Sequence, residues 1–270
     1  MTPVAVASAR EALEAAAPAL AAAGCETPRL DAELLVADAL GIDRAALAAE
    51  PELAVPPAAA RLIGERVRRR TAREPVAYIL GRKGFRHIEL AVDPRVLIPR
   101  PETELLVELA LDLPPAARVH EVGTGSGAVA LALLDERPDL RVSASDASAP
   151  ALEVARANAA RLGLELDLTH VRGLPAGEFD LVVANLPYVR ESEWSSLQPE
   201  IVKWEPREAL VAGPEGLEAI RELVAGPATG TPLALEHAPD QAAAVRGLLR
   251  DSETLRDLAG RNRVTRGLAR

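Results

Sequence analysis

The sequence predicts an α/β chain: a mostly parallel sheet with helices on both faces, preceded by a small all-helical domain. Three observations carry that expectation. From residue 102 onward, short strand segments alternate with helical patterns across short links, as βαβ units do. Before residue 80 the apolar residues recur at helical spacing and no strand pattern occurs. Between the two, Ile88, Leu90 and Val92 alternate with His87, Glu89, Ala91 and Asp93, the period of a β-hairpin. The expected boundaries are a helical domain over 1–84, a hairpin linker over 85–101 and an α/β domain over 102–270.

Each element has its own signal. Ala7–Ala23 is alanine-rich and helical. Pro28-Arg29-Leu30-Asp31 opens a second helix, with Leu30, Leu34, Leu35 and Ala37 on one face and Gly41 placed to close it. Pro56-Pro57 starts a third, which runs to Arg73. Val96-Leu97-Ile98 leads into Pro99-Arg100-Pro101, which no helix can cross. Beyond it, helices are expected over Glu102–Leu111, Ala128–Leu134, Pro150–Leu162, Gly216–Val224 and Asp240–Arg250. Strands are expected over Arg118–Val122, Leu140–Ser145, Leu166–Val171, Phe179–Ala184 and Pro232–Glu236.

Bulk properties exclude several classes. Apolar residues make up 49% of the 270, enough to bury a core. A net charge of −9 does not suit tight, unspecific binding to nucleic acid, so no stable nucleic-acid binding is expected. The single cysteine, Cys25, can build neither an intrachain disulfide nor a cysteine-based zinc site and reads as a small buried hydrophobe. His87, His120, His170 and His237 are dispersed, and no metal is expected. Glu11 and Glu14 lie where a signal peptide would be basic, and no uncharged run reaches ~18 residues. A cytoplasmic monomer with no membrane association is the expectation.

Three motifs carry chemistry. Glu121-Val122-Gly123-Thr124-Gly125-Ser126-Gly127 follows a strand and opens a helix, where glycines allow a tight turn and the helix N-terminus supplies free N–H groups to a ligand. Gly123, Gly125 and Ala128 also fit a dinucleotide pattern. Asp146 ends the next strand, where a carboxylate can accept both hydroxyls of a ribose; Ser148 is placed to cap the following helix. Glu121 favours a cationic ligand, because a carboxylate there would repel a pyrophosphate. Asn185-Leu186-Pro187-Tyr188 follows a later strand and should face the glycine loop, since ligands in open α/β sheets bind beyond the carboxyl ends of strands. An amide nitrogen is a poor nucleophile because its lone pair is delocalised. The Asn185 side-chain oxygen and the Leu186 carbonyl can grip its two hydrogens and turn it toward a sulfonium methyl. Pro187 stiffens the turn, and Tyr188 offers a flat face.

The glycine loop, Asp146 and the Asn-Leu-Pro-Tyr tetrapeptide resemble class I, Rossmann-like methyltransferases, whose sheet has seven strands. Arg73-Glu74-Pro75-Val76-Ala77-Tyr78-Ile79-Leu80-Gly81 and Val96-Leu97-Ile98-Pro99-Arg100-Pro101-Glu102-Thr103-Glu104 resemble the release factor glutamine methyltransferases more narrowly. So do Arg29–Leu35, Glu205-Pro206 with Ala209-Leu210, and Asp257-Leu258-Ala259-Gly260-Arg261. The resemblance covers nearly the whole chain. It implies S-adenosyl-L-methionine as cofactor and, as substrate, the glutamine of the Gly-Gly-Gln motif in class 1 peptide chain release factors, methylated at N5. It implies that Gly123, Thr124, Gly125, Ser126 and Gly127 line the cofactor with Glu121, that Asp146 holds its ribose, and that Asn185, Leu186, Pro187 and Tyr188 bind the glutamine. Leu174, after Gly173, stands near the adenine where the family often has aspartate. Leu186 replaces the family's usual proline, and Glu236-His237-Ala238 stands where Glu-x-Gly is common.

The spelling Asn-Leu-Pro-Tyr also resembles adenine-N6 methyltransferases acting on ribosomal RNA, the alternative reading. Arg66, Arg68, Arg69, Arg70 and Arg73 read either as a solvated helix end or as a contact for an acidic partner or RNA. Trp194 and Trp204 read either as a lid or as loop packing.

Overall fold

The computed structural model describes residues 7–226 and 229–270. They form two compact units, one comprising the chain up to Gly81 together with Gln198–Trp204, the other Arg82–Leu197 with Glu205–Arg270. Among the described residues no helix is long and apolar enough to cross a membrane.

The smaller unit is helical: α1 (Ala9–Ala22), α2 (Pro28–Leu40), α3 (Arg44–Ala49), α4 (Pro57–Thr71) and α5 (Val76–Leu80), with a short helix over Pro199–Trp204. Ser8 caps α1 through a reciprocal pair of hydrogen bonds with Glu11. Gly41 closes α2 at a φ of 69°, as its position predicts. Leu13, Leu20, Val36, Leu47 and Ile63 form the core. The six-residue α3 and five-residue α5 are too short to show periodicity and were not expected; Asp43 starts α3 by accepting the Ala46 N–H at 2.7 Å.

The arginine cluster is largely internal. Arg66 pairs with Asp38 at 2.5 Å and Arg69 with Glu74 at 2.6 Å. Arg70 is buried between Asp31 at 2.7 Å and Glu200 at 2.8 Å. Arg73 meets the other Glu200 oxygen at 2.5 Å and donates to the carbonyls of Ala23 and Gly24. Charges this deep persist because each is both paired and hydrogen-bonded. Arg68 is exposed and Arg69 partly so, whereas Arg66, Arg70 and Arg73 are held inside, so the run is mainly an internal ion-pair network.

The larger unit opens with the hairpin β1 (Arg82–Phe85) and β2 (Ile88–Ala91). Read from the sequence as a linker, it packs into this unit's core instead. Its alternation puts Phe85, Ile88 and Leu90 on one side, which must be buried. The Asn158 side chain ties it down, accepting from the Ala91 N–H at 2.7 Å and donating to the Ala91 and Ser126 carbonyls.

Then follow α6 (Glu104–Leu111), β3 (Arg118–Val122), α7 (Ala128–Glu136), β4 (Arg141–Asp146), α8 (Ala149–Leu162), β5 (Asp167–His170), β6 (Leu181–Ala184), β7 (Val189–Arg190), β8 (Val211–Gly213), β9 (Pro232–Glu236), β10 (Arg250–Arg256) and β11 (Asn262–Leu268). Helices over Glu218–Val224 and Ala242–Leu248 flank β9. β7 and β8 pair separately. The seven-stranded sheet has the order β10-β11-β9-β6-β3-β4-β5. All its pairs are parallel except those of β11, which runs antiparallel to β9 and β10. The sheet steps from β3 to β4 on one side and to β6 on the other, so a crevice opens beyond the carboxyl ends of these three strands. The terminal hairpin was not expected. β10 is an edge strand exposing Arg250, Asp251, Glu253 and Arg256, so it lacks apolar alternation.

Candidate active site

β3 is buried from Val119 to Val122, and the chain then turns through Gly123, Gly125 and Gly127 with φ of 76°, 55° and 85°. A Cβ on Gly123 would lie 3.0 Å from Leu186 Cδ2, so glycine there lets the loop meet the tetrapeptide. A Cβ on Gly127 would lie 2.8 Å from Leu131 Cδ1, so that glycine serves the packing of α7. Glu121 binds the loop to its helix: its Oε2 accepts from the Thr124 hydroxyl at 2.6 Å and the Ala130 N–H at 2.9 Å. Burial pushes the Glu121 pKa up to about 7, against the pull of those two donors. Asp146 Oδ2 accepts from the Gly125 N–H at 2.9 Å and Oδ1 from the Ser148 N–H at 2.8 Å. Burial raises the Asp146 pKa as well. Ser148 is the residue that caps α8, so Asp146 is left to line the cleft.

Asn185 leaves β6 with its Nδ2 donating to Thr103 Oγ1 at 2.9 Å. Tyr188 turns away from the cleft: its hydroxyl donates to Glu236 Oε1 at 3.3 Å, and its carbonyl accepts from Gln241 Nε2 at 2.9 Å. Burial pushes the Tyr188 pKa upward. Glu236, at the end of β9, is also buried, which raises its pKa to about 7 against the Thr103 hydroxyl and the Arg263 charge. Its Oε2 has no partner at hydrogen-bond distance.

A cleft of about 810 Å³ joins these parts. Glu121, the loop from Gly123 to Ser126, Asp146 and the segment Asn185–Pro187 line it, together with Pro99, Arg100, Thr103 and Pro206. Three expected residues lie outside its wall. Gly127 is behind the loop, Tyr188 faces Glu236, and Leu174 packs against the apolar cluster that includes Val122 and Leu223. A leucine has nothing to offer a polar ligand and follows its apolar neighbours; Gly173, beside it, reaches the wall.

Thr103 and Glu236 were not singled out. Thr103 lies inside the Pro99–Glu104 run, but its contact with Asn185 spans 82 residues and has no local signature. Other distant motifs brace the same turn. Arg100 pairs with Glu205 at 2.5 Å, and Glu102 pairs with Arg261 at 3.2 Å. Arg261 and Arg263 both meet Asp257. Trp194 stacks under Arg207 at 5.6 Å. Among the described residues no group of acidic, histidine or cysteine side chains could hold a metal.

Residues 101–213 match the methyltransferase small domain, and residues 11–81 match the PrmC N-terminal domain. A release factor glutamine methyltransferase of Xylella fastidiosa is 42% identical over 92% of this chain and 96% of its own length. One of Moorella thermoacetica is 41% identical over 94% and 96%. Among solved structures, the hMettl16 catalytic domain in complex with MAT2A 3'UTR hairpin 6 shares the fold, with a TM-score of 0.50 at 14% identity over 66% of this chain and 75% of that one. The α/β unit with its glycine loop is thus that of a methyltransferase. The chain belongs to the release factor glutamine methyltransferase family.

Proposed function

We propose that this enzyme transfers a methyl group from S-adenosyl-L-methionine to the N5 amide nitrogen of the glutamine in the Gly-Gly-Gln motif of class 1 release factors. The observation that carries the reading is the seating of the Asn185-Leu186-Pro187 segment directly on the glycine loop, at Gly123. Methyl acceptor and donor sites are thereby adjacent within one cleft.

The cleft suits the cofactor. Gly123 and Gly125 present backbone without side chains, Asp146 offers two acceptor oxygens to a ribose, and Glu121 and Asp146 together give the negative potential a sulfonium prefers. The cofactor supplies an electrophilic methyl. Asn185 Oδ1 and the Leu186 carbonyl accept the two hydrogens of the substrate amide, orient its nitrogen and stabilise the positive charge that develops there. No covalent intermediate or metal is needed.

Residues 1–84 serve as a docking domain in this reading. A glutamine side chain is too small to confer specificity, and a protein interface of ~800 Å² per partner must come from elsewhere. The enzyme acts as a cytoplasmic monomer without a stable hold on nucleic acid. The relatives do not favour the ribosomal RNA alternative, and four of the five arginines that fed it are taken up by Asp31, Asp38, Glu74 and Glu200. The test is one reaction holding release factor and ribosomal RNA as competing acceptors. Label on the protein supports the reading, and label on the RNA overturns it.

A further inference from the structure

We propose that Thr103 is a positioning residue that sets which way the Asn185 amide faces. The inference rests on the reading that Asn185 Oδ1 accepts from the substrate amide. An asparagine side chain turned over about its last bond swaps an acceptor for two donors. Facing a substrate NH2, the turned-over amide would set donor against donor, and a planar acceptor nitrogen could not be held. Something must therefore hold Asn185 one way round.

The structure shows what does. Asn185 Nδ2 donates to Thr103 Oγ1 at 2.9 Å, which leaves Oδ1 for the cleft. Thr103 is 5% exposed and closes the Pro101–Thr103 turn, where its N–H donates to the Arg100 carbonyl at 3.1 Å. That turn is clamped through Arg100 to Glu205 and through Glu102 to Arg261. The hydroxyl thus sits on a rigid support, independent of the strand that carries Asn185.

A hydroxyl can donate as well as accept, so Thr103 needs a partner that fixes its polarity. Glu236 lies beside it, with an Oε2 that is buried, without a hydrogen-bond partner and open to such a proton. An ionised carboxylate only accepts, and the Thr103 hydroxyl is, after burial, the foremost influence on Glu236, favouring its charged form. Tyr188 donates to Glu236 Oε1. The groups facing Glu236 are Thr103, Tyr188, Arg263 and, at longer range, Glu102. A charged Glu236 offers its open Oε2 to the Thr103 proton, which leaves the Thr103 lone pairs to face Asn185. With Glu236 protonated, the hydroxyl is free to donate to Asn185 and the preference is lost.

The test compares Thr103→Val, which keeps the shape and removes the hydroxyl, with Thr103→Ser, which keeps the hydroxyl. Turnover is measured on intact class 1 release factor across pH 6 to 8.5, with cofactor affinity by calorimetry. Thr103→Val should lower kcat by about 10-fold, with cofactor Kd unchanged. Thr103→Ser should recover most of that loss. With cofactor saturating at every pH, wild-type turnover should fall as pH drops through about 7, and Thr103→Val should flatten that limb. In the pair Thr103→Val and Asn185→Ala the two losses should not add, because one acts through the other. Full turnover by Thr103→Val, additive losses, or a Thr103→Ser variant as slow as Thr103→Val overturns the inference. Full turnover by Asn185→Ala would instead overturn the reading on which it rests.

Discussion

Asp146→Ala separates the two demands made on that carboxylate. In the free protein Asp146 accepts two backbone N–H bonds, from Gly125 at 2.9 Å and Ser148 at 2.8 Å. Burial opposes them by raising its pKa, so removing the charge forfeits two bonds but also lifts a desolvation penalty. These nearly offset, and the melting temperature of the free protein should move by no more than ~5 °C, the equivalent of 1–2 kcal/mol in a chain of this size. Cofactor binding has no such offset. Each charge-assisted bond to a ribose hydroxyl contributes ~1.5–3 kcal/mol, so losing both removes ~3–6 kcal/mol, or about 10²–10⁴ in Kd. Releasing Gly125 also loosens the loop, in the same direction. Titration calorimetry with S-adenosyl-L-methionine, beside a thermal melt, reads both numbers. An unchanged Kd in a folded variant would show that the ribose lies elsewhere; a Kd change matched by a collapse in stability would show that Asp146 is only a loop clamp.

Arg70→Ala leaves Asp31 unpaired and Glu200 with one partner in a buried setting; breaking a buried pair costs ~3–5 kcal/mol, so the melting temperature should drop by roughly 10 °C. Arg68→Glu, on the exposed side of α4, should leave the melt unchanged, and a fall in kcat/KM for release factor without a fall in cofactor affinity would mark that side as docking surface. Leu186→Pro retains the carbonyl and costs no hydrogen bond, because no acceptor pairs with the Leu186 N–H among the described residues; kinetics should show turnover held or raised. Glu121 titrates at about 7 in the free protein, and a cationic cofactor favours its charged form. Kd should therefore rise as pH falls from 8 to 6, binding near pH 7 should release protons, and Glu121→Gln should remove that dependence.

The central strands and the catalytic loop were legible because each has a local cause. The glycine loop needs left-handed backbone at three positions, and the buried strand β6 is a continuous apolar run. What escaped depends on distance. β10 is an edge strand whose outward charges hide its period, and α3 is shorter than two helical turns. Residues 85–101 read as a linker by position alone, whereas Phe85 and Leu90 are buried in the sheet's core. Within the site, Leu174 and Tyr188 were placed by motif, yet what surrounds a side chain decides where it points. Thr103 and Glu236 lie in runs that the family resemblance covers, but their role has no local signature; it arises because the fold brings residues 103, 185 and 236 together.

The most direct test of the account is to incubate the enzyme with a class 1 release factor and S-adenosyl-L-methionine carrying a labelled methyl group, then map the label by tandem mass spectrometry. The account predicts one methyl on the side-chain nitrogen of the Gly-Gly-Gln glutamine with wild-type enzyme and next to none with Asn185→Ala, which should still bind the cofactor. Methyl at another residue, or equal labelling by Asn185→Ala, would contradict it.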